Sequence, residues 1–163
     1  YQSIHIGALN KMTIETAYGT IDYEEENLII FSDGLFGFPH LKRYLFLSLD
    51  ENEDSMLLMV SVDESEVGFV LVNPFVLCPD YTPEMTPQEL ACLSAKEIGD
   101  LSCYSICVVN SDYLNNTVNL KCPIMVNSET HQGIQVILEN PSYGYRHEFR
   151  SFLAESGSAD NQD

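Results

Sequence analysis

The sequence predicts a mainly β, single-domain fold, an antiparallel β-barrel or sandwich with one short helix at about residues 86–95. Three observations lead there. The chain has 163 residues, 45% of them hydrophobic, which suffices for one substantial core and is too apolar for a disordered chain. Its apolar residues fall in short β-branched and aromatic runs separated by acidic or Gly/Pro breaks, a pattern of consecutive strands rather than of βαβ units. One segment carries a helix start signal: Thr86 can cap Pro87-Gln88-Glu89, with proline at the first helical position and Glu89 closing a capping box.

The strands follow in order. Thr13–Thr16, Thr20–Tyr23 and Leu28–Phe31 open the series, and Tyr44–Leu49, Met56–Val62 and Val67–Val72 form its apolar centre. Beyond the helix come Tyr104–Val109, Thr117–Leu120, Ile124–Asn127 and Ile134–Leu138. Residues 1–11 read as an N-terminal extension, a vector-derived leader or an alternative start, with Met12 where the domain pattern begins. Residues 12–150 are the β domain, and 151–163, small and polar after Leu153, are expected to be a disordered tail.

Charge sets the next bounds. With 25 acidic and 7 basic residues the formal net charge is −18, which repels phosphate backbones and argues against direct nucleic-acid binding. A general solubility role explains much of the acid, and a basic protein partner drawn in over about one Debye length, about 8 Å at physiological salt, is the sharper reading. The acid sits in connections: Asp22 with Glu24, Glu25 and Glu26; Asp50 to Asp54; and Asp63, Glu64 and Glu66. Such tips at one end of a barrel would form a continuous negative field, and they also keep strand edges from pairing with other chains.

Enzyme and metal signatures are absent from the sequence. Asp50-Glu51-Asn52-Glu53-Asp54 begins like a calcium loop but has Ser55 where the turn glycine belongs and Ser61 where the bidentate glutamate belongs. There is no G-x-S-x-G elbow, and Gly34-Leu35-Phe36-Gly37 lacks the lysine of a phosphate loop. Its glycines instead suit positive-φ turns that tuck Phe36 and Phe38 inward before Pro39. The five cysteines, Cys78, Cys92, Cys103, Cys107 and Cys122, include no C-x-x-C pair and read as reduced core thiols, Cys103 and Cys107 on one strand face. No catalytic residue, cofactor or metal is expected. No apolar run reaches the roughly 20 residues of a membrane span, and the opening residues show no basic-then-apolar leader, so a cytoplasmic setting is expected.

The stretch VGFVLVNPFVLCPDY, Val67 to Tyr81, is the most informative. Asn73-Pro74 breaks the first apolar run, and a second, Phe75–Cys78, ends at Pro79-Asp80-Tyr81. The prolines make a corner that offers Phe75, Asp80 and Tyr81 as partner contacts, with Asn73 supporting the turn. On that reading Tyr81→Ala weakens partner binding by roughly 1–3 kcal/mol and leaves the melting temperature nearly unchanged.

This corner resembles the flagellar assembly factor FliW family, and further motifs follow in the family's order. Gly34-Leu35-Phe36-Gly37-Phe38-Pro39 with Arg43-Tyr44 resembles its G-x-x-G-F-P segment. Asn119-Leu120-Lys121-Cys122-Pro123-Ile124 with Asn127 resembles N-L-x-x-P-I-x-x-N, and Gln135-Val136-Ile137-Leu138 with Tyr143 and Arg146 resembles the C-terminal signature. The likeness runs from about Met12 to about His147. It implies a cytoplasmic regulator that binds the translational regulator CsrA, relieving its repression of flagellin synthesis, and that binds flagellin near its C-terminal segment. Blocking the RNA site and repelling RNA from beside it are both open as routes. Partner contacts are expected at Phe75, Asp80, Tyr81 and Glu84 and at the acidic hairpin of Asp63, Glu64 and Glu66. Family members often carry an acidic residue directly after P-D-Y, whereas Thr82-Pro83 here precede Glu84, so Glu84 substitutes from a shifted position or the contact is lost. Gly34, Gly37, Pro39, Asn73, Pro74, Asn119, Pro123, Asn127 and Arg146 are expected to build the fold, Arg146 by pairing with an acidic residue. A generic acidic adaptor for another basic protein is the alternative, and an uncharacterised hydrolase the third reading.

Overall fold

Seven strands close on themselves in the order β7-β6-β5-β4-β3-β10-β9, with β9 returning to β7. They are β3 (Ile29–Ile30), β4 (Arg43–Asp50), β5 (Glu53–Ser61), β6 (Gly68–Val72), β7 (Ser102–Val108), β9 (Ile124–Asn127) and β10 (Gln132–Gln135). This computed structural model describes residues 11–16, 19–50 and 53–152; the expected tail beyond 152 and most of the expected N-terminal extension lie outside the described residues. Neighbouring strands pair antiparallel, except that Gln132 of β10 meets Ile30 of β3 in a parallel bridge. The free edge of β7 is shared: Ser102–Tyr104 pair with β9, while Cys107 and Val108 pair with β8 (Thr117–Val118), which carries β11 (His147–Glu148) beyond it.

Strand alternation sorts the apolar side chains into an interior and two outer layers. Phe31, Tyr44, Met59, Leu71, Ile124 and Val126 fill the barrel, joined by Tyr104 and Ile106 of β7. The alternate residues of β6 and β7, including Val72, Cys103 and Cys107, face outward into a second core with Tyr81, Leu93, Met125, Val136 and Leu138. On the opposite flank Leu45 and Val60 pack under the hairpin of β1 (Lys11–Thr16) and β2 (Gly19–Glu24), which contributes Ile14 and Tyr23. Strands buried on both faces explain why Met56–Val60 and Phe69–Val72 read as continuous apolar runs rather than alternating ones.

Two short helices lie in the connection from β6 to β7: α1 (Pro74–Leu77) and α2 (Pro87–Cys92). The expected helix is α2, and its capping box is formed: Thr86 Oγ1 accepts from Glu89 N at 3.1 Å, and Glu89 Oε1 accepts from Thr86 N at 2.8 Å. Helix α1 corrects the expected second extended run at Phe75–Cys78. Pro74 takes the first helical position, where its missing donor costs nothing, and Asn73 Oδ1 caps the turn by accepting from Phe75 N at 2.9 Å.

The G-x-x-G-F-P segment forms a tight turn in which Leu35 and Phe38 exchange backbone hydrogen bonds. Gly34 has φ +67°, and a Cβ there would stand 2.6 Å from the carbonyl oxygens of Phe38 and Pro39, so only glycine fits. Gly37 has φ +90° with open space around it. Phe38 packs edge-on against Phe69, but Phe36 is 52% exposed, correcting the expectation that both rings tuck inward.

Candidate functional site

The corner after β6 is built on buried aromatic residues. Tyr81 is 3% exposed; its hydroxyl donates to the Leu120 carbonyl at 2.7 Å and its ring meets Tyr143 edge-on at 4.7 Å. Burial pushes the Tyr81 hydroxyl pKa far up, so it remains a donor. Tyr143 in turn accepts from the Thr82 backbone N–H at 2.8 Å. The expected surface contact at Tyr81 is therefore corrected: the side chain is scaffold, drawn inward because its ring completes the outer core and its hydroxyl satisfies a buried carbonyl. What α1 offers to solvent is Phe75, 41% exposed and resting on Tyr81 at 5.8 Å, and Val76, 65% exposed, with Asp80 exposed beside them.

From Tyr81 the chain enters directly into a groove of about 630 Å³. Thr82, Glu84, Met85, Thr86 and Glu89 make one wall, and Ile137, Leu138, Glu139 and Asn140 the other. The capping box fixes Glu89, and Leu138 is buried with its N–H on Lys121 O at 2.8 Å, so both walls are anchored. Glu84, Glu89 and Glu139 supply three carboxylates, Met85, Ile137 and Leu138 supply apolar surface, and no lysine or arginine lines the space. Among the described residues none of the three carboxylates has an ion-pair partner. Sequence reasoning named Glu84 but missed Glu139, Ile137 and Val76, and saw Glu89 only as a cap. Residues 84–89 and 137–140 are far apart in sequence, and the signal available was Glu139 ending an apolar run.

The other acidic candidates lie elsewhere. Asp63, Glu64 and Glu66 occupy the β5–β6 connection, before Gly68, whereas the corner follows Val72. The length of β6, about 13 Å at about 3.3 Å per residue, separates them. Ser61 Oγ ties that turn by accepting from Asp63 N and Glu64 N, and Arg43 meets Asp63 Oδ1 at 2.7 Å and Glu25 at 3.9 Å. The hydrogen bond that Arg43 donates to Asp63 raises the Arg43 pKa above its ordinary value. Glu64 lies 3.9 Å from His40. Strand β5 starts at the corner's end of the barrel, where Met56 pairs with Val72, and ends at the β5–β6 turn, so the two connections of β6 lie at opposite ends.

The remaining motif residues are placed as follows. Asn119 Oδ1 accepts from Lys121 N and Cys122 N. Asn127 donates to Leu93 O at 2.7 Å and accepts from Glu129 N, tying the end of α2 to β9, and Pro123 is buried before that strand. Buried Gln135, unmarked in the sequence reading beyond its motif, accepts from Phe36 N and donates to Cys122 O, joining three motifs. Arg146 is exposed and has no ion pair among the described residues; it is Arg150 that reaches Asn115 and Glu148, so the expected closure by Arg146 is corrected. The five cysteines are free thiols, and among the described residues no cluster of three or more His, Cys, Asp and Glu is placed to hold a metal ion.

The closed barrel carries an open, carboxylate-rimmed groove, a surface suited to binding, and the regulatory or adaptor class to which the chain belongs follows from its family. The comparisons with known proteins name the family. A family model described as "FliW protein" matches residues 12–149, so the chain belongs to the FliW family of flagellar assembly factors. It is 37% identical over 126 residues to the flagellar assembly factor FliW of Clostridium tetani, covering 77% of this chain and 86% of that one. Against that of Caldanaerobacter subterraneus subsp. tengcongensis it is 33% identical over 130 residues, covering 80% and 87%. A crystal structure of the flagellar assembly factor FliW superposes with a TM-score of 0.79 at 32% identity, covering 85% of this chain and 96% of the other.

Proposed function

We propose that this chain is a cytoplasmic flagellar assembly factor that binds the translational regulator CsrA, antagonises its RNA binding, and also binds flagellin through its C-terminal segment. Flagellin export then frees the chain to hold CsrA, coupling flagellin synthesis to secretion. Membership of the FliW family supports the setting, and the observation that carries the binding reading is the groove with three carboxylates that have no ion-pair partner among the described residues, on a chain of net charge −18. CsrA is a basic RNA-binding protein, so the two surfaces attract, while RNA is repelled from the complex. No helix among the described residues is long and apolar enough to cross a membrane.

Calorimetric titration of the chain with purified CsrA and with flagellin tests this. Binding of both is expected, with flagellin lacking its C-terminal segment failing to bind and CsrA releasing flagellin leader RNA as the chain is added. Absence of binding to CsrA and flagellin at about 100 μM, a free energy weaker than about −5.5 kcal/mol, overturns it.

A further inference from the structure

We infer that the groove between residues 82–89 and 137–140 is the docking site for a basic, partly aliphatic segment of a protein partner. Its inserted lysines or arginines are the missing counter-charges of Glu84, Glu89 and Glu139. The inference rests on the adaptor reading above and assigns it a surface.

Charge compensation decides between the acidic surfaces. At the β5–β6 turn the chain supplies one cation, Arg43, paired with Asp63 and close to Glu25, with His40 3.9 Å from Glu64. In the groove it supplies none: the lining residues include three glutamates and no basic side chain. Like charges held around one concavity repel each other, and an incoming cation relieves that repulsion as well as making its own contacts. Both walls are anchored independently of any ligand, by the Thr86–Glu89 capping box on one side and the Leu138–Lys121 hydrogen bond on the other, so little ordering cost falls on binding.

Shape and apolar lining narrow the occupant further. A volume of about 630 Å³ admits a few side chains of a segment and excludes a folded domain. Met85, Ile137 and Leu138 give an aliphatic floor, which suits the methylene stems of lysine and arginine and an intervening leucine or isoleucine. Phe75 and Val76, exposed on α1 and joined to the groove through Tyr81 and Thr82, extend the apolar surface beyond one end. The partner is thus a segment that combines basic and aliphatic residues.

The test uses two variants of the full chain. Glu84→Gln with Glu139→Gln neutralises the groove and spares Glu89, whose carboxylate caps α2. Asp63→Asn with Glu64→Gln removes equal charge at the other end. Two probes are titrated by fluorescence anisotropy: purified CsrA, and a short labelled peptide alternating lysine or arginine with leucine. Melting curves verify that both variants are folded. The groove variant is expected to weaken both probes about tenfold, and the hairpin variant less than about threefold. If the unmodified chain binds the peptide with that pattern but not CsrA, the groove stands and the CsrA reading falls. Equal binding of CsrA by the unmodified chain and the groove variant overturns the groove while the CsrA reading stands. Equal losses from both variants, or no binding of either probe, also overturn the groove.

Discussion

Strand β6 has an acidic connection at each end, and the two ends are held by different physics. Beyond Val72, Asn73 caps α1, Tyr81 is buried with its hydroxyl on Leu120, and Tyr143 passes the support on to Thr82 at the groove. Before Gly68, the turn is tied by Ser61 Oγ and by surface ion pairs of Arg43. The first end spends its buried contacts on the frame, and its groove carboxylates have no ion pair among the described residues. The second engages Asp63 with Arg43 and Glu64 with His40. Acidity therefore does not mark a binding surface by itself, and the proposed groove differs from the β5–β6 turn in joining its carboxylates to a rigid frame.

The largest expected effect that tests this contrast is Tyr81→Ala. It removes a buried ring in contact with Phe75 and Tyr143 and orphans the Leu120 carbonyl, so a loss of about 3–5 kcal/mol in folding stability is expected. Urea denaturation measures it, and a midpoint equal to that of the unmodified chain would mean that the corner is not scaffold.

Alkaline pH should loosen the same end. Burial raises the thiol of Cys103 from 9.0 to about 12 and that of Cys107 from 9.0 to about 11. Each group is held neutral in the folded chain after the unfolded chain has begun to ionise. The stabilisation is complete below pH 9 and is lost as pH rises through about 11 to 12. Cys103 and Tyr81 share the core behind the corner, so amide exchange there should accelerate earlier than at the β5–β6 turn. Stability that is flat or rising between about pH 8.5 and 11 would contradict this.

These tests also separate what was legible in the sequence from what was not. Periodicity placed the strands because Met56–Val60 and Phe69–Val72 are apolar on both faces, and the capping box placed α2 because Thr86 and Glu89 bond locally. Phe75–Leu77 misled because α1 is a turn set by Asn73 and Pro74, and four residues are too few for a helical period to register. Tyr81 misled because exposure is a tertiary property: its partners Leu120 and Tyr143 lie 39 and 62 positions away in the chain. The groove was half visible for the same reason, Glu84 and Glu139 meeting only when the barrel closes. Arg146 had no local signal to distinguish it from Arg150, which makes the contacts.

Asn73→Ala gives an intermediate effect. It removes the acceptor for Phe75 N, and since the cap is exposed the expected loss is about 1 kcal/mol. The same urea midpoints read it, and a loss as large as that of Tyr81→Ala would place the frame's strength in the cap rather than in the aromatic core.

The smallest effect is expected at the opposite end, and it defines the contrast most sharply. Asp63→Asn removes the 2.7 Å partner of Arg43, yet the two side chains are 38% and 42% exposed, and solvent screens such pairs to about 0–1 kcal/mol. Arg43 retains Glu25 at 3.9 Å, which shrinks the loss further. The fold should be nearly indifferent, with a midpoint shift inside that range. Partner binding should change through encounter alone: removing one negative charge from a chain of net −18 lowers long-range attraction slightly, so the association rate falls less than about twofold and the dissociation rate is unchanged. Surface plasmon resonance at low and high salt separates the two rates. A dissociation rate that rises severalfold would put Asp63 in contact with the partner, and would move the binding surface from the groove to the β5–β6 turn.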